Sequence, residues 1–426
     1  MHFPTEKKTF LLSLVIYFLI GTAFGVFTSA DVIAARTLGA GTLAITVLMF
    51  LLNASAIFSL PLTQWMGTGP RRRRTLLIMG VTCTAPLFLY PLVPGVPAFI
   101  LAIFLVHLLN VILPPTMNQL FRRHFRPDHV GRLFGWGTSS KILAGMVGAT
   151  LTGLLLDFDD QLYRALLVAA GLLTLIAMIL LSRMDYADPD DGSADPDDGS
   201  GAEPGGSASA GGFSSDAPAK SLWRMIAETA RTVREVLDKD RAFYRFERNF
   251  IIYGMGFLLL TPVLPVYFVK VLDLDYSTIS LSRQVMGQAG LWLLSPLAGG
   301  LFDRSNAFHY TGFSFLMLVG FPLLLGCAAL IPSAWAVPAV FAGYAVLSVA
   351  MTGISISWHI GSIRFAGTAD PAIYQGIHVT LTGVRSLFGP ILGYVVMTLF
   401  GFAAAFALAA VFFTVAAILM LRERRA

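Results

Sequence analysis

Charged side chains are scarce in this chain. Only 13% of its 426 residues are Asp, Glu, Lys or Arg, whereas 56% are hydrophobic. A soluble protein carries roughly 25% charged residues, because its surface has to face water. The composition therefore excludes an ordinary soluble protein and favours one whose apolar side chains face lipid.

Residues that carry enzymatic or metal chemistry are also few. The two cysteines, Cys83 and Cys327, each lie within an apolar run and show no spacing typical of disulfide or metal sites. The sequence has no Gly-x-x-x-x-Gly-Lys loop for nucleotide phosphates and no nucleophile paired with a base. We therefore expect no enzymatic activity, no cofactor and no metal. The first apolar run lacks a cleavage motif and is predicted to be a span, not a signal peptide.

The chain is instead rich in long apolar runs, close to the ~20 residues that a membrane-spanning helix needs. They are much longer than the alternating strands of a membrane barrel. We therefore predict an all-α membrane protein of about twelve transmembrane helices in two pseudo-symmetric six-helix bundles, at 1–182 and 246–426. The predicted spans lie near 10–30, 38–62, 75–93, 97–118, 133–156, 162–182, 249–270, 279–301, 310–331, 336–358, 376–399 and 402–421.

The segment between the two bundles has a different composition. Residues 183–220 repeat Asp-Pro-Asp-Asp-Gly-Ser and are otherwise rich in Gly, Ser and Ala. This predicts a disordered acidic linker, because few apolar side chains are available to pack. At 221–245 apolar residues return at helical spacing beside several arginines, which predicts an amphipathic helix on the membrane surface. A partner-binding helix is the alternative.

The positions of the basic residues predict the orientation. With a cytoplasmic N-terminus, most of the 30 Lys and Arg fall in cytoplasmic segments, and only Arg36, Arg164 and Lys270 fall on the opposite side. Cytoplasmic loops of membrane proteins carry such an excess. We therefore predict an integral multi-pass protein of the plasma (inner) membrane with both termini cytoplasmic. The basic residues are spread over short loops, so we expect no nucleic-acid partner.

Short matches recur between the two bundles in the same order. Residues 92–94 (Leu-Val-Pro) recur as 330–332 (Leu-Ile-Pro), and Lys141 with Gly145 recurs as Arg385 with Gly389. These matches indicate a duplicated six-helix unit.

The duplicated unit and two loops make the chain resemble the major facilitator superfamily over nearly its whole length. The loop at 67–74 is similar to the family's basic loop, and the loop at 299–304 is similar to its counterpart in the second half. The first loop has Met66 where the family has an aspartate. The second keeps Asp303 and Arg304 but lacks most of the other arginines.

The resemblance implies a monomeric secondary transporter that carries a small-molecule substrate across the lipid bilayer by alternating access. Spans 1, 4, 7 and 10 would line the cavity, and spans 2, 5, 8 and 11 would form the contact between the halves. Proton-coupled export (efflux) of a small organic solute is the commonest role that the resemblance implies. Uptake or exchange of a small anion is the alternative, as is a membrane sensor or scaffold that does not transport.

Several polar side chains are predicted within spans, where ionisable groups are costly and usually functional. Lys141 and Arg385 are predicted either to bind an anionic solute or to cap carbonyls of a neighbouring helix. Arg283, about one turn into its span, either contacts solute or extends outward to the interface. His107 and Asn110 share one helix face and contact either solute or proton, or another helix.

Carboxylates are not expected deep within any span, so proton coupling has no clear candidate. Asp31 and Asp157 are placed at the outer ends of their spans, with Arg36 as the expected partner of Asp31.

Small residues and proline are predicted to shape the moving interface between the halves, because small residues let helices approach closely and proline loosens a helix. The residues are Gly145, Gly148, Gly389, Pro390 and Gly393, and the loop residues Asp303 and Arg304 are assigned to the same conformational role.

Overall fold

The computed structural model describes residues 3–66, 69–125, 127–184, 222–367 and 371–423, and the regular structure in these ranges is helical. The helices of the first half are α1 (Phe3–Phe27), α2 (Ala30–Arg36), α3 (Thr42–Ala54), α4 (Ser59–Met66), α5 (Gly69–Leu89), α6 (Val96–His124), α7 (Pro127–Phe158) and α8 (Tyr163–Ser182). Those of the second half are α9 (Leu222–Lys239), α10 (Arg241–Lys270), α11 (Tyr276–Ser280), α12 (Gly287–Asp303), α13 (Ala307–Leu318), α14 (Gly320–Ala328), α15 (Ser333–Ile356) and α16 (Pro371–Arg422).

Within the described ranges, eight helical runs are long and apolar enough to cross a membrane. A ninth consists of Tyr276–Ser295 and Leu297–Asp303, which meet at a bend of 56°. Helix α16 has the length of two spans and breaks at Gly401, where φ is 83°. Helices α3 and α4 correspond to the second predicted run and α5 to the third. With them, the helices match the predicted runs. The prediction of an all-α membrane protein is confirmed.

The two arms of α16 both lie along α10 and run in opposite directions. Residues of the first arm meet α10 in ascending order, from His378 against Glu247 to Gly389 against Leu258. The second arm runs back along α10. Its residue Phe406 packs on Tyr267, and its last turn places Glu423 3.0 Å from Arg245. Gly401 therefore joins two neighbouring spans as a hairpin with almost no loop.

Glycines bring helices of the same half into close contact. A Cβ atom at Gly25 of α1 would lie 2.7 Å from the Gly145 carbonyl oxygen of α7, and one at Gly148 would lie 2.6 Å from the Thr22 carbonyl oxygen. In the second half, Gly389 and Gly393 of α16 meet Leu258 and Leu259 of α10 in the same way. Such approaches need small residues. The close packing lies within each half, whereas the sequence prediction placed these glycines at the contact between halves.

Helix α10 touches α2 and α3 across the two halves, and the larger contacts between the halves are those of α3 against α16 and of α7 against α11. The elements of these larger contacts belong to spans 2, 11, 5 and 8, as the resemblance implies. At Gly153 of α7, a Cβ atom would lie 2.8 Å from the Ser277 Cα across this contact. A π-helical turn, Leu281–Met286, follows α11 and carries Arg283.

Helix α9 packs against the beginnings of α10 and α16. Its residues Val233, Val236 and Leu237 contact the buried cluster that includes Phe243 and Tyr374. Asp240 lies between α9 and α10. Its carboxylate accepts a 2.9 Å hydrogen bond from the Phe243 N–H and a 3.3 Å bond from the Tyr374 hydroxyl. Helix α9 therefore ends at Lys239 and α10 begins at Arg241. Most of the predicted linker, from residue 185 onward, lies outside the described residues.

Candidate solute and proton sites

Lys141 is held against α1 in the first half. A Cβ atom at Gly21 would collide with the Lys141 carbonyl oxygen, so the two backbones touch. The Lys141 ammonium lies 5.5 Å from the centroid of the Phe24 ring, an arrangement that allows a cation–π interaction. Among the described residues, no ion pair or hydrogen bond is made by this ammonium.

His107 and Asn110 lie one helical turn apart on α6. The Lys141 ammonium is close enough to His107 to interact with it electrostatically. The Asn110 Oδ1 atom is buried and has no hydrogen-bond partner among the described residues. The side chains of His107, Asn110, Lys141 and Phe24 are all partly exposed. The structure therefore places the Lys141 ammonium within electrostatic range of His107, with Asn110 one helical turn further along α6.

Arg385 has a different environment from Lys141, although the two occupy matching positions in the repeat. Its side chain is only 9% exposed, and its Nη1 atom donates a 2.6 Å hydrogen bond to the Phe250 carbonyl oxygen. Its guanidinium lies 5.6 Å from the centroid of the Tyr253 ring. A Cβ atom at Gly254 would collide with the guanidinium, so a larger residue there would displace the Arg385 side chain. No described contact joins Arg385 to Lys141.

A buried acid–base pair in the second half was missed by the sequence analysis. Glu247 and His378 are 2% and 1% exposed, and the His378 Nδ1 atom lies 2.9 Å and 3.0 Å from the two Glu247 carboxylate oxygens. Glu247 also interacts electrostatically with Arg385. Glu247 lies in the second turn of α10, between Arg245 and Arg248 and near the end of that span. The charged residues 245–248 interrupt the apolar run, so the predicted span begins at 249 and leaves Glu247 outside it. The aromatic spacing of Phe243, Phe246 and Phe250 was the available signal.

The second buried carboxylate, Asp31, pairs across the two halves. Asp31 is 1% exposed, and Arg283 approaches it at 2.7 Å (Nη2 to Oδ2) and 3.0 Å (Nη1 to Oδ1). The expected partner of Asp31, Arg36, instead donates a 2.6 Å hydrogen bond to Asp273. The sequence analysis chose the carboxylate's neighbour in the chain, because it had no information on contacts between the halves. A small cavity beside the pair is lined by Thr28, Ser29, Val32, Tyr276, Ile279, Ser280, Arg283 and Gln284.

Further polar contacts join the two halves at the end of the molecule where Asp31 pairs with Arg283. We call this the closed end. Asp157 at the end of α7 accepts hydrogen bonds from the backbone N–H groups of Tyr276 (2.7 Å) and Ser277 (2.9 Å), which begin α11. The Thr37 hydroxyl is hydrogen-bonded to the Tyr276 hydroxyl. By the charge-based orientation, this closed end is the outer one.

The loop residues Asp303 and Arg304 lie at the opposite end of the second half. Arg364 donates hydrogen bonds to the carbonyl oxygens of Ser305 (2.8 Å) and Asp303 (3.2 Å), and lies 3.8 Å from the Asp303 carboxylate. Arg304 is the C-terminal cap of α12. Pro390 is buried inside the first arm of α16, next to Gly389. These contacts join the end of span 8 to the end of span 10 within one half.

Known proteins share this architecture. A family model described as the Major Facilitator Superfamily matches residues 10–369. The chain is similar to the solved nucleoside transporter NupG, with a TM-score of 0.64 and 16% identity over 98% of this chain and 100% of that one.

Two further solved structures are similar. A bacterial homolog of the human lysosomal transporter Spinster, in an inward-facing and unoccupied conformation, has a TM-score of 0.66 and 14% identity over 99% of both chains. A structure on substrate recognition in proton dependent oligopeptide transporters has a TM-score of 0.64 and 14% identity over 97% of this chain and 96% of that one. No curated protein sequence matches significantly. Because the family model covers most of the chain and the fold of these transporters covers nearly all of it, the chain belongs to the Major Facilitator Superfamily.

Proposed function

We propose that this secondary transporter exports a small organic solute in exchange for protons, by alternating access between its two halves. The observation that carries the proposal is the buried ion pair between Asp31 of the first half and Arg283 of the second. The family resemblance supports export as the direction.

The ion pair links proton binding to the opening of the outer end. When the halves separate at that end, Asp31 loses the guanidinium of Arg283. Removing one partner of a buried ion pair costs about 3–5 kcal/mol, because the other charge is left uncompensated. A proton on Asp31 removes that charge, so protonation and outward opening favour each other.

The exposed ion pair at the closed end contributes less to this coupling. In the pair between Arg36 and Asp273, the two side chains are 27% and 88% exposed. Exposed ion pairs contribute only ~0–1 kcal/mol. The buried pair is therefore the element that ties proton binding to the conformational change.

Proton-coupled export can be tested in everted membrane vesicles with an acidic interior, monitored by a pH-sensitive fluorescent dye. Candidate solutes are nucleosides and dipeptides, chosen from what the similar structures are named for, with aromatic acids and aromatic cations. A transported compound should dissipate the pH gradient in vesicles containing the wild-type chain. Asp31→Asn should abolish that response, whereas Glu235→Gln on the exposed face of α9 should preserve it.

Two results would contradict the proposal. One is a pH gradient that no compound dissipates, and the other is an unchanged response in Asp31→Asn. Solute exchange that proceeds at full rate without a pH gradient would favour the rival function, uptake or exchange of a small anion. The absence of any solute flux would favour a sensor or scaffold.

A further inference from the structure

The ionisable groups within the spans differ in how they are compensated. Asp31 pairs with Arg283, and Glu247 pairs with His378. Arg385 donates to the Phe250 carbonyl oxygen and lies near Glu247. Lys141 is the exception within the described ranges, because its ammonium has the Phe24 ring as its recorded partner and no counter-charge.

An uncompensated ammonium inside a membrane protein is costly, and such groups mark binding sites and transport pathways. A cation–π contact offsets part of that cost. The neighbouring His107 adds no negative charge. The Lys141 ammonium is therefore available to pair with an anion, because the described residues supply no counter-charge.

A second group beside Lys141 also lacks a partner. The buried Oδ1 atom of Asn110 accepts no hydrogen bond from the described residues. A buried acceptor without a donor destabilises the protein unless something else donates to it. Asn110 lies one helical turn from His107, which interacts with Lys141. An unpaired cation and an unpaired acceptor thus occur in the same half, and His107 links them.

We propose that Lys141, Asn110, His107 and Phe24 form the solute site of the first half, and that its ligand is a small organic anion with a flat apolar body. The anionic group binds the Lys141 ammonium, the flat body packs against Phe24, and an N–H or O–H group donates to Asn110. This rests on the proposed function, since the bound anion is the solute that is carried. Arg385, its repeat counterpart, is a structural residue.

The experiment measures melting temperatures of the purified full-length chain with matched probes. Each probe pair consists of a carboxylate and its neutral amide: benzoate with benzamide, nicotinate with nicotinamide, and indole acetate with indole acetamide. A ligand that binds only the folded state raises the melting temperature. At least one carboxylate should raise it by several degrees, and its amide should not. Lys141→Met should abolish that shift.

The ligand-free variants provide a second readout. Lys141→Met removes an uncompensated charge, so it should raise the melting temperature of the ligand-free protein while it abolishes anion binding. The matched control, Arg385→Met, leaves the Phe250 carbonyl without its donor and should lower the melting temperature with or without probe. A structural Lys141 would instead behave as Arg385 does.

The proposal is overturned if no carboxylate raises the melting temperature of the wild-type protein, or if the amides raise it as much as the acids do. It is also overturned if Lys141→Met lowers the melting temperature of the ligand-free protein. Asp31→Asn separates this result from the proposed function. If a carboxylate still raises the melting temperature of Asp31→Asn, and the wild-type protein shows no proton-driven export, the anion site is supported and proton coupling is contradicted. Proton-driven export of neutral solutes alone, with no carboxylate shift, contradicts the anion site and supports proton coupling.

Discussion

Arg385 and Gly254 illustrate how one side chain depends on the absence of another. The guanidinium occupies the space that a Cβ atom at Gly254 would take. Gly254→Ala should therefore displace Arg385 from the Phe250 carbonyl and destabilise the protein by about 1–3 kcal/mol, the usual cost of overpacking. The measurement is the melting temperature. The control is Gly376→Ala on α16, where a Cβ atom would meet nothing within 4 Å.

The double variant Gly254→Ala with Arg385→Met provides a further check. Once the guanidinium is gone, the added methyl group has room, so the two effects should be strongly non-additive. Additive effects would show that Gly254 is constrained by something other than Arg385.

Residue-scale differences of this kind are not visible in the sequence. The repeat correctly paired Lys141 with Arg385 as matching positions, and both alternatives, solute binding and carbonyl capping, were open for each. The structure shows carbonyl capping for Arg385. It shows no such contact for Lys141 among the described residues. The distinction depends on a glycine 131 positions away in the chain, since Gly254 is brought beside Arg385 only by the fold.

Among the elements, α9 is the one whose surroundings differ most from the expected membrane surface. Its apolar residues Val236 and Leu237 pack on the protein cluster around Phe243. Leu237→Ser should therefore lower the melting temperature in detergent, where no bilayer is present, by about 1–2 kcal/mol of lost burial. Arg234→Ser, whose side chain is 86% exposed, should leave it nearly unchanged. Equal melting temperatures for both variants would mean that α9 does not stabilise the second half.

The sequence predicted α9 as an amphipathic helix but could not decide which surface its apolar face would cover. Helical periodicity identifies the apolar face, and lipid and protein surfaces are equally apolar. The choice depends on Phe243 and Tyr374, which α10 and α16 bring together. The burial of Glu247 could not be predicted either, because its partner His378 comes from α16.

For the whole molecule, the orientation is the property that every functional proposal uses. In a background without Cys83 and Cys327, Leu92→Cys on the predicted outer side should react with an impermeant thiol reagent in intact cells. Lys239→Cys on the predicted cytoplasmic side should react only after lysis. Both native side chains are exposed at these positions, so reagent access is not limited by packing. The reverse labelling pattern would invert the assignment of the closed end.

Hydropathy and charge bias predict much at this scale, because lipid imposes the length of each span and the positions of basic loops. The helices and the contacts of span 2 with span 11 and of span 5 with span 8 agree with the structure. The closed end could not be predicted, because its contacts join residues more than 100 positions apart, such as Asp157 with Tyr276.

The hairpin at Gly401 has a consequence for how the protein is made. Because almost no loop separates the two arms, the second arm has no connecting segment that would let it insert separately from the first. Each arm satisfies its own backbone hydrogen bonds within its helix, so we expect the arms to enter the bilayer together as a helical hairpin. The two arms therefore acquire their membrane orientation together, and the basic residues near their free ends determine it. An alanine at Gly401, where φ is 83°, would cost roughly 1–2 kcal/mol in the finished protein, but its larger effect would fall on this step of biogenesis.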